Sequence, residues 1–172
     1  MALTRSDIQR LFELLNQELR TDGTRAELFL VGGAVMCLAY GARASTEDVD
    51  AAFRPTTEVR RAAARVAAKM RTNPHWLNDG VKGFMSARGD FAPFLELDHL
   101  SVMLAQPTYL LAMKCMAMRI GEEFHDQDDV RYLLRLLDVR SYDQAIGIIT
   151  EYYPLDKFPQ KTLYALTDLL PL

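Results

Sequence analysis

Apolar residues recur at helical intervals near the start of the chain, at Ile8, Leu11, Leu15 and Leu19, with polar residues between them. Ser6 and Gln9 stand at capping-box spacing, so a helix is expected from Ser6 to the turn-forming Thr21-Asp22-Gly23. The period then changes. Leu28-Phe29-Leu30-Val31 is a continuous apolar run bounded by Gly32-Gly33, the pattern of a buried strand. Ala34–Tyr40 fits a short helix closed by Gly41, and Asp48–Phe53 a second strand stopped by Pro55. From Thr57 to about Thr72 the chain is rich in Ala, Arg and Val without Gly or Pro, which predicts a helix broken by Asn73-Pro74. Residues 75–92 show no dominant period, and Gly80, Gly83 and Gly89 mark turns. Phe94–Gln106 reads as one or two strands interrupted near Asp98-His99. Pro107 suits the first turn of a helix running to Ile120 and ended by Gly121. Helical patterns follow over about Asp126–Leu137, Ser141–Tyr153 and Gln160–Leu169, with Ser141 as a cap and Pro154 and Pro159 as breaks.

A mixed front half followed by an all-helical back half favours one α+β domain over residues 1–172. Its mixed core is expected to reach about residue 106, with helices from 107 onward. Composition changes little. With 172 residues, 49% hydrophobic and 25% charged, the chain is long enough to bury a core without metal or disulfide support. No apolar run approaches the ~18 residues of a membrane span, and MALTRSDIQR is unlike a signal peptide, so a cytoplasmic protein with no membrane partner is expected. Cys37 and Cys115 lie in apolar stretches, which suits reduced, buried thiols. His75, His99 and His125 lack metal-ligand spacing, so zinc is not expected. A net charge of −3 excludes an overall basic nucleic-acid binder but leaves room for a local basic patch. Arg54, Arg60, Arg61, Arg65, Lys69 and Arg71, against Glu58 alone, form such a stripe: either a contact for an RNA backbone or a solvated face.

Candidate chemistry begins at Leu30-Val31-Gly32-Gly33-Ala34. Glycines where a strand feeds a helix allow a ligand close to the backbone, and a helix start favours phosphate, although many such turns need Gly for geometry alone. Downstream stands Arg43-Ala44-Ser45-Thr46-Glu47-Asp48-Val49-Asp50. On a strand, Asp48 and Asp50 share one face, and a hard divalent cation between them would relieve their repulsion. A solvated edge strand carrying two acids fits the same spacing. Together, a phosphate-cradling turn and a paired-carboxylate strand are what Mg²⁺-assisted phosphoryl or nucleotidyl transfer requires. Lys114 stands in a helix of Leu, Ala, Met and Cys, where an ammonium needs an anion or a route to the surface. Asp126 and Asp129 share one helical face, either to orient Lys114 or to serve as a base, or simply as a solvated acidic helix start.

The run Val31-Gly32-Gly33-Ala34 … Arg43-Ala44-Ser45-Thr46-Glu47-Asp48-Val49-Asp50 resembles the polymerase-β-like nucleotidyltransferase superfamily, closest to the minimal branch that includes the AbiEii-type nucleotidyltransferase toxins. Leu110–Ala117 with Lys114, and Asp126-Gln127-Asp128-Asp129-Val130, look like the family's later lysine and aspartate motifs, so the resemblance covers about residues 26–137. His75–Asp79 also looks family-typical, with no chemical role attached. The resemblance implies a nucleotidyltransferase fold with a small mixed sheet and a helical C-terminal half. It implies transfer of a nucleoside monophosphate from an NTP to a tRNA or protein acceptor, and the role of a toxin countered by an antitoxin protein. Asp48 and Asp50 would hold Mg²⁺, Gly32, Gly33, Arg43 and Thr46 would bind nucleotide, and Lys114 would meet the triphosphate, with Asp126 or Asp129 supporting it. Two departures stand out. Ala34 occupies a position where many relatives carry Ser or Thr, and the third carboxylate of larger members has only Glu96 and Asp98 as candidates. Both features also suit a catalytically silent nucleotide-binding or partner-binding module, and a kinase-like or antitoxin-type transferase of the same fold acting on protein hydroxyls is a third option.

Overall fold

Thr4 rather than Ser6 caps the first helix of the computed structural model, which describes residues 2–121 and 124–170. Helix α1 (Arg5–Thr21) opens with the Thr4 hydroxyl accepting from the Asp7 N–H at 3.2 Å, while the Asp7 carboxylate accepts from the Thr4 N–H at 2.9 Å. The capping box is therefore Thr4/Asp7, two residues ahead of the expected Ser6/Gln9 pair. Thr4 also belongs to strand β1 (Leu3–Thr4), too short to leave a period in the sequence. Thr4→Ala is expected to cost about 1 kcal/mol, a lowering of the melting temperature by roughly 2–4 °C in a scanning thermal melt.

The chain divides into two compact units, Met1–Gly83 with Phe91–Ala105, and Phe84–Asp90 with Gln106–Leu172. The division falls where helices were expected to take over, except that residues 84–90 belong with the helices. The reason is hydrogen bonding. The Ser86 N–H donates to the Tyr109 hydroxyl at 3.0 Å, and the Tyr152 hydroxyl donates to the Asp90 carboxylate at 3.0 Å.

In the first unit, β2 (Ala26–Val31), α2 (Gly33–Leu38), β3 (Ser45–Thr46), β4 (Val49–Arg54), α3 (Thr56–Met70), β5 (Leu77–Asn78), β6 (Phe91–Glu96) and β7 (Leu100–Ala105) follow in order. Five strands form a mixed sheet in the order β5-β4-β2-β7-β6, and β1 pairs separately with β3. Alternation sets its faces. Leu28 is level with Phe53 and Val102, and Leu30 with Ala51 and Leu104, in one buried layer. The apolar stripe of α1 and the Val59, Ala62 and Val66 face of α3 contribute to the same core, with α1 packed on α3 and β7 and α3 on β4. The opposite sheet face carries Glu27, Phe29, Asp50 and Arg54 and is only partly buried. The interruption expected near Asp98-His99 is the β6–β7 turn, closed by the Leu97 N–H on the Leu100 carbonyl at 2.8 Å.

The second unit contains α4 (Pro107–Met116), α5 (Asp126–Leu136), α6 (Tyr142–Ile149) and α7 (Gln160–Leu169). Helix α4 stops short of the expected Ile120, because the Arg119 N–H turns away from a helical carbonyl to the Asp126 carboxylate, at 2.9 Å. Ser141 caps α6 as expected, with Gln144 completing the box, but this helix ends at Ile149 instead of reaching Tyr153. Among the described residues the fold is thus α+β, with seven α-helices and one mixed five-stranded sheet. Cys37 and Cys115 are buried free thiols. No described helix is long and apolar enough to cross a membrane.

Candidate functional site

The central strand β2 ends at Val31, opposite Asp50 on β4, and the Gly-Gly turn begins one residue later. Gly32 has φ +71° and ψ −151°, a conformation open essentially to glycine alone. A Cβ built on it would lie 3.2 Å from the Asp50 Oδ2, so the backbone runs directly beside that carboxylate. Gly33 is closed from another side. Its Cβ would stand 2.6 Å from the Arg43 Nη1 and 2.8 Å from the Thr46 Oγ1. Arg43 is long enough to yield. Thr46 is short, only 8% exposed, and donates to the Asp48 carbonyl at 3.3 Å, so it holds its place. Both glycines are therefore needed for close approach as well as for the turn itself.

The loop from Arg43 to Asp48 is tied at its centre by the β1–β3 pairing, where Leu3 is level with Thr46 and Thr4 with Ser45. Asp48 stands immediately before β4 rather than on it. Asn78 links the positions of Asp48 and Asp50. The Asn78 side chain on β5 donates to the Asp48 Oδ2 at 2.9 Å, and in the ladder Asn78 is level with Asp50. Asn78 was not singled out from the sequence. Its only signal was its place in the His75–Asp79 segment, after the apolar Trp76-Leu77 pair. Trp76 is a core residue, fully buried, with its indole N–H donating to the Ala63 carbonyl at 3.0 Å.

The sheet end thus gathers Gly32, Gly33, Arg43, Thr46, Asp48 and Asp50, every candidate expected from the front half except the third carboxylate. Glu96 and Asp98 are not at this end. Glu96 is level with Ser101, which is level with Glu27, which is level with Arg54, at the far end of β4 from Asp50. Glu96 is paired with Arg25 and accepts from the Ser101 hydroxyl, while Asp98 accepts from Asn16 at 2.9 Å and from the Arg20 Nε at 2.9 Å. Both acids close the sheet edge where the chain turns, and neither complements the Asp48–Asp50 pair.

The later motif residues form a cluster of their own in the helical unit. The Lys114 Nζ lies 2.7 Å from the Asp129 Oδ2 and 3.6 Å from the Asp126 Oδ1. The lysine side chain is 11% exposed and the aspartates 6% and 4%, so Lys114 does not snorkel to solvent and the acids are not a solvated helix start. Arg119 completes the cluster, its Nε donating to the Asp126 Oδ2 at 2.8 Å. Burial pushes the Asp126 carboxyl up, but the Arg119 hydrogen bonds and the Lys114 charge outweigh it and hold it below its usual range. Of the readings open from the sequence, orientation of Lys114 by both aspartates fits this geometry.

The basic stripe on α3 and its approach is largely matched by acids. Arg54 pairs with Glu27, Arg60 with Asp79, Arg65 with Glu18 and Asp22, and Lys69 with Glu18. These bridges tie α3 to α1, to the β5 end and β4 to β2, which removes much of the positive field an RNA backbone would need.

Two glycine-lined contacts, a guanidinium, a hydroxyl and two carboxylates at one sheet end suit a phosphorylated ligand with its divalent cation. Among the described residues no group of three or more His, Cys, Asp or Glu side chains could hold a metal by itself. Mg²⁺ does not require one, since it is commonly held by one or two carboxylates and completed by substrate phosphates and water. The donor set fits such a shared site. Gly32→Ala is expected to cost about 1–3 kcal/mol from backbone strain and to displace the Asp50 carboxylate. A thermal melt of this variant checks the loss.

Comparison with known proteins leaves the site to its own chemistry: no family model, curated protein or solved structure matches the chain.

Proposed function

We propose that the chain is a Mg²⁺-dependent nucleotidyltransferase that moves a nucleoside monophosphate from an NTP to an acceptor. The observation that carries the reading is the meeting of the Gly32-Gly33 turn, Arg43 and Thr46 with Asp48 and Asp50 at one end of the β2–β4 pair. In this reading the five-stranded sheet is that of the nucleotidyltransferase fold. The glycine turn lets phosphate oxygens approach the backbone, and Arg43 supplies a fork-shaped donor for them. Thr46 supplies the hydroxyl that Ala34 lacks. Asp48 and Asp50 hold the cation side of the nucleotide, where a bound Mg²⁺ would neutralise charge on the transferring phosphate. The acceptor hydroxyl oxygen bonds to the α-phosphorus, the bond to the bridging oxygen breaks, pyrophosphate leaves, and the hydroxyl proton passes to solvent. Lys114 belongs to the reading through the resemblance, and its pairing with Asp129 and Asp126 supports a held, oriented ammonium.

The acceptor class, a tRNA or a protein, and the role of a toxin held by an antitoxin protein rest on the resemblance, and the cytoplasmic setting on the composition and the first residues of the sequence. The test is incubation with each α-labelled NTP, Mg²⁺, total tRNA and cell lysate. Label removed by ribonuclease marks an RNA acceptor, and label removed by protease marks a protein one. Binding of Mg²⁺ and nucleotide without any transferred label would instead assign the chain to the silent nucleotide-binding class. Growth arrest on expression, relieved by Asp48→Ala, would support the toxin role.

A further inference from the structure

We propose that Asn78 is a positioning residue for the carboxylate pair, acting on the divalent cation through Asp48 without touching it. The inference rests on the reading of Asp48 and Asp50 as the cation-holding residues. Asn78 is the neutral group placed against both of them: its amide donates to the Asp48 Oδ2 at 2.9 Å, and its backbone is level with Asp50 in the β4–β5 ladder. The direction of that bond follows from chemistry, because an ionised carboxylate only accepts and the facing amide atom must be the nitrogen.

The residue is held there from both sides. Trp76, fully buried, is anchored by its indole N–H to the Ala63 carbonyl, and its own carbonyl accepts from the Val49 N–H at 2.7 Å, between the two acids in sequence. On the other side, Asp79 accepts from the Arg60 Nη2 at 2.7 Å and lies 2.9 Å from the Lys82 Nζ. Leu77–Asn78 is therefore a two-residue strand with fixed neighbours, and its polar side chain is spent on the Asp48 carboxylate. The bond fixes the direction of the Asp48 carboxylate just ahead of β4. An amide does this without adding charge. A lysine or arginine there would neutralise the carboxylate and compete with the cation, and an acid would repel it. Outer-shell partners of this kind orient ligating carboxylates, and their loss commonly lowers metal affinity by about 10–100-fold.

The test is a Mg²⁺ titration of the full chain at fixed fluorescent NTP analogue, together with analogue binding in the presence of a chelator. Asn78→Ala is expected to raise the half-saturating Mg²⁺ by about tenfold or more, while chelator-insensitive nucleotide binding stays within about twofold of wild type. Asn78→Gln, which keeps an amide donor on a longer stem, is expected to recover part of the Mg²⁺ response. A Mg²⁺ midpoint unchanged in Asn78→Ala overturns the proposal. So does a parallel loss of metal-free nucleotide binding, or a Gln variant that recovers nothing, since either assigns the effect to packing. Should Asn78→Ala fail to fold, Asn78→Gln and Asn78→Ser carry the same comparison. A wild-type chain with no Mg²⁺-dependent nucleotide binding would sink the underlying reading of the site, whereas normal wild-type binding with unaltered variants would sink only the role of Asn78.

Discussion

Asp50→Asn is expected to lower Mg²⁺-dependent nucleotidyl transfer by about a thousandfold, the scale of several kcal/mol of transition-state charge stabilisation. The same variant is expected to fold normally, with a melting temperature unchanged to within about 2 °C. The separation follows from where Asp50 sits. It is half-buried on the sheet face away from the α1–α3 layer, its Oδ2 lies beside Gly32, and asparagine keeps its volume. Asparagine also keeps an oxygen that can accept a hydrogen bond, so the loss is expected in transfer rather than in folding. Assaying transfer and thermal melting on the same preparation checks both halves. Unchanged transfer with Asn at position 50 would remove this carboxylate from the chemistry.

Lys114→Met carries the largest expected effect on stability, about 3–5 kcal/mol by denaturant unfolding, because it leaves two nearly buried carboxylates facing each other. A lysine lying along the surface would cost less than about 1 kcal/mol to replace, so the size of the loss distinguishes the two arrangements. Lys114→Met combined with Asp129→Leu is expected to recover part of it, since the second change removes one of the two facing buried charges. The cluster also gives a pH signature. The Asp126 carboxyl is held below its usual range in the folded protein, through Arg119 and Lys114, against the opposing effect of burial. Its contribution is therefore complete above the ordinary carboxylate pKa and disappears as pH falls through the lower folded value. Glu18, held low by Lys69 and Arg65 against its burial, acts in the same direction. Unfolding free energy measured against pH should fall on the acid side, and Arg119→Ala, by raising the folded value of Asp126, should make that fall smaller.

Much of the architecture was legible because core positions repeat with the period of their element. The α1 stripe, the Leu28–Val31 strand and the Ala-rich α3 each bury one continuous face, and a periodic face is visible in one dimension. What stayed hidden was decided by contacts between distant segments. Strands β1 and β5 have two residues each, and nothing local distinguishes them from loop until Ser45–Thr46 and Val49–Asp50 pair with them. Helix α4 ends early because a side chain ten positions beyond its last residue takes the Arg119 N–H. The glycines and acids that meet at the end of β2 and β4 were legible as a group because their motifs are compact in sequence. Asn78 was not, since its meaning comes from the ladder that places it beside Asp48 and Asp50. Glu96 and Asp98 looked available as acids, but spacing does not reveal the Arg25 and Arg20 partners that occupy them.

The most direct test follows both products of one reaction, using an NTP labelled at the α-phosphate in one tube and at the γ-phosphate in another, with Mg²⁺ and the acceptor mixture. The account predicts that α-label enters the acceptor while γ-label appears in pyrophosphate, in equal amounts, and that Asp48→Asn and Asp50→Asn abolish both. Label entering the acceptor from the γ-position, or transfer that survives both substitutions, would contradict it.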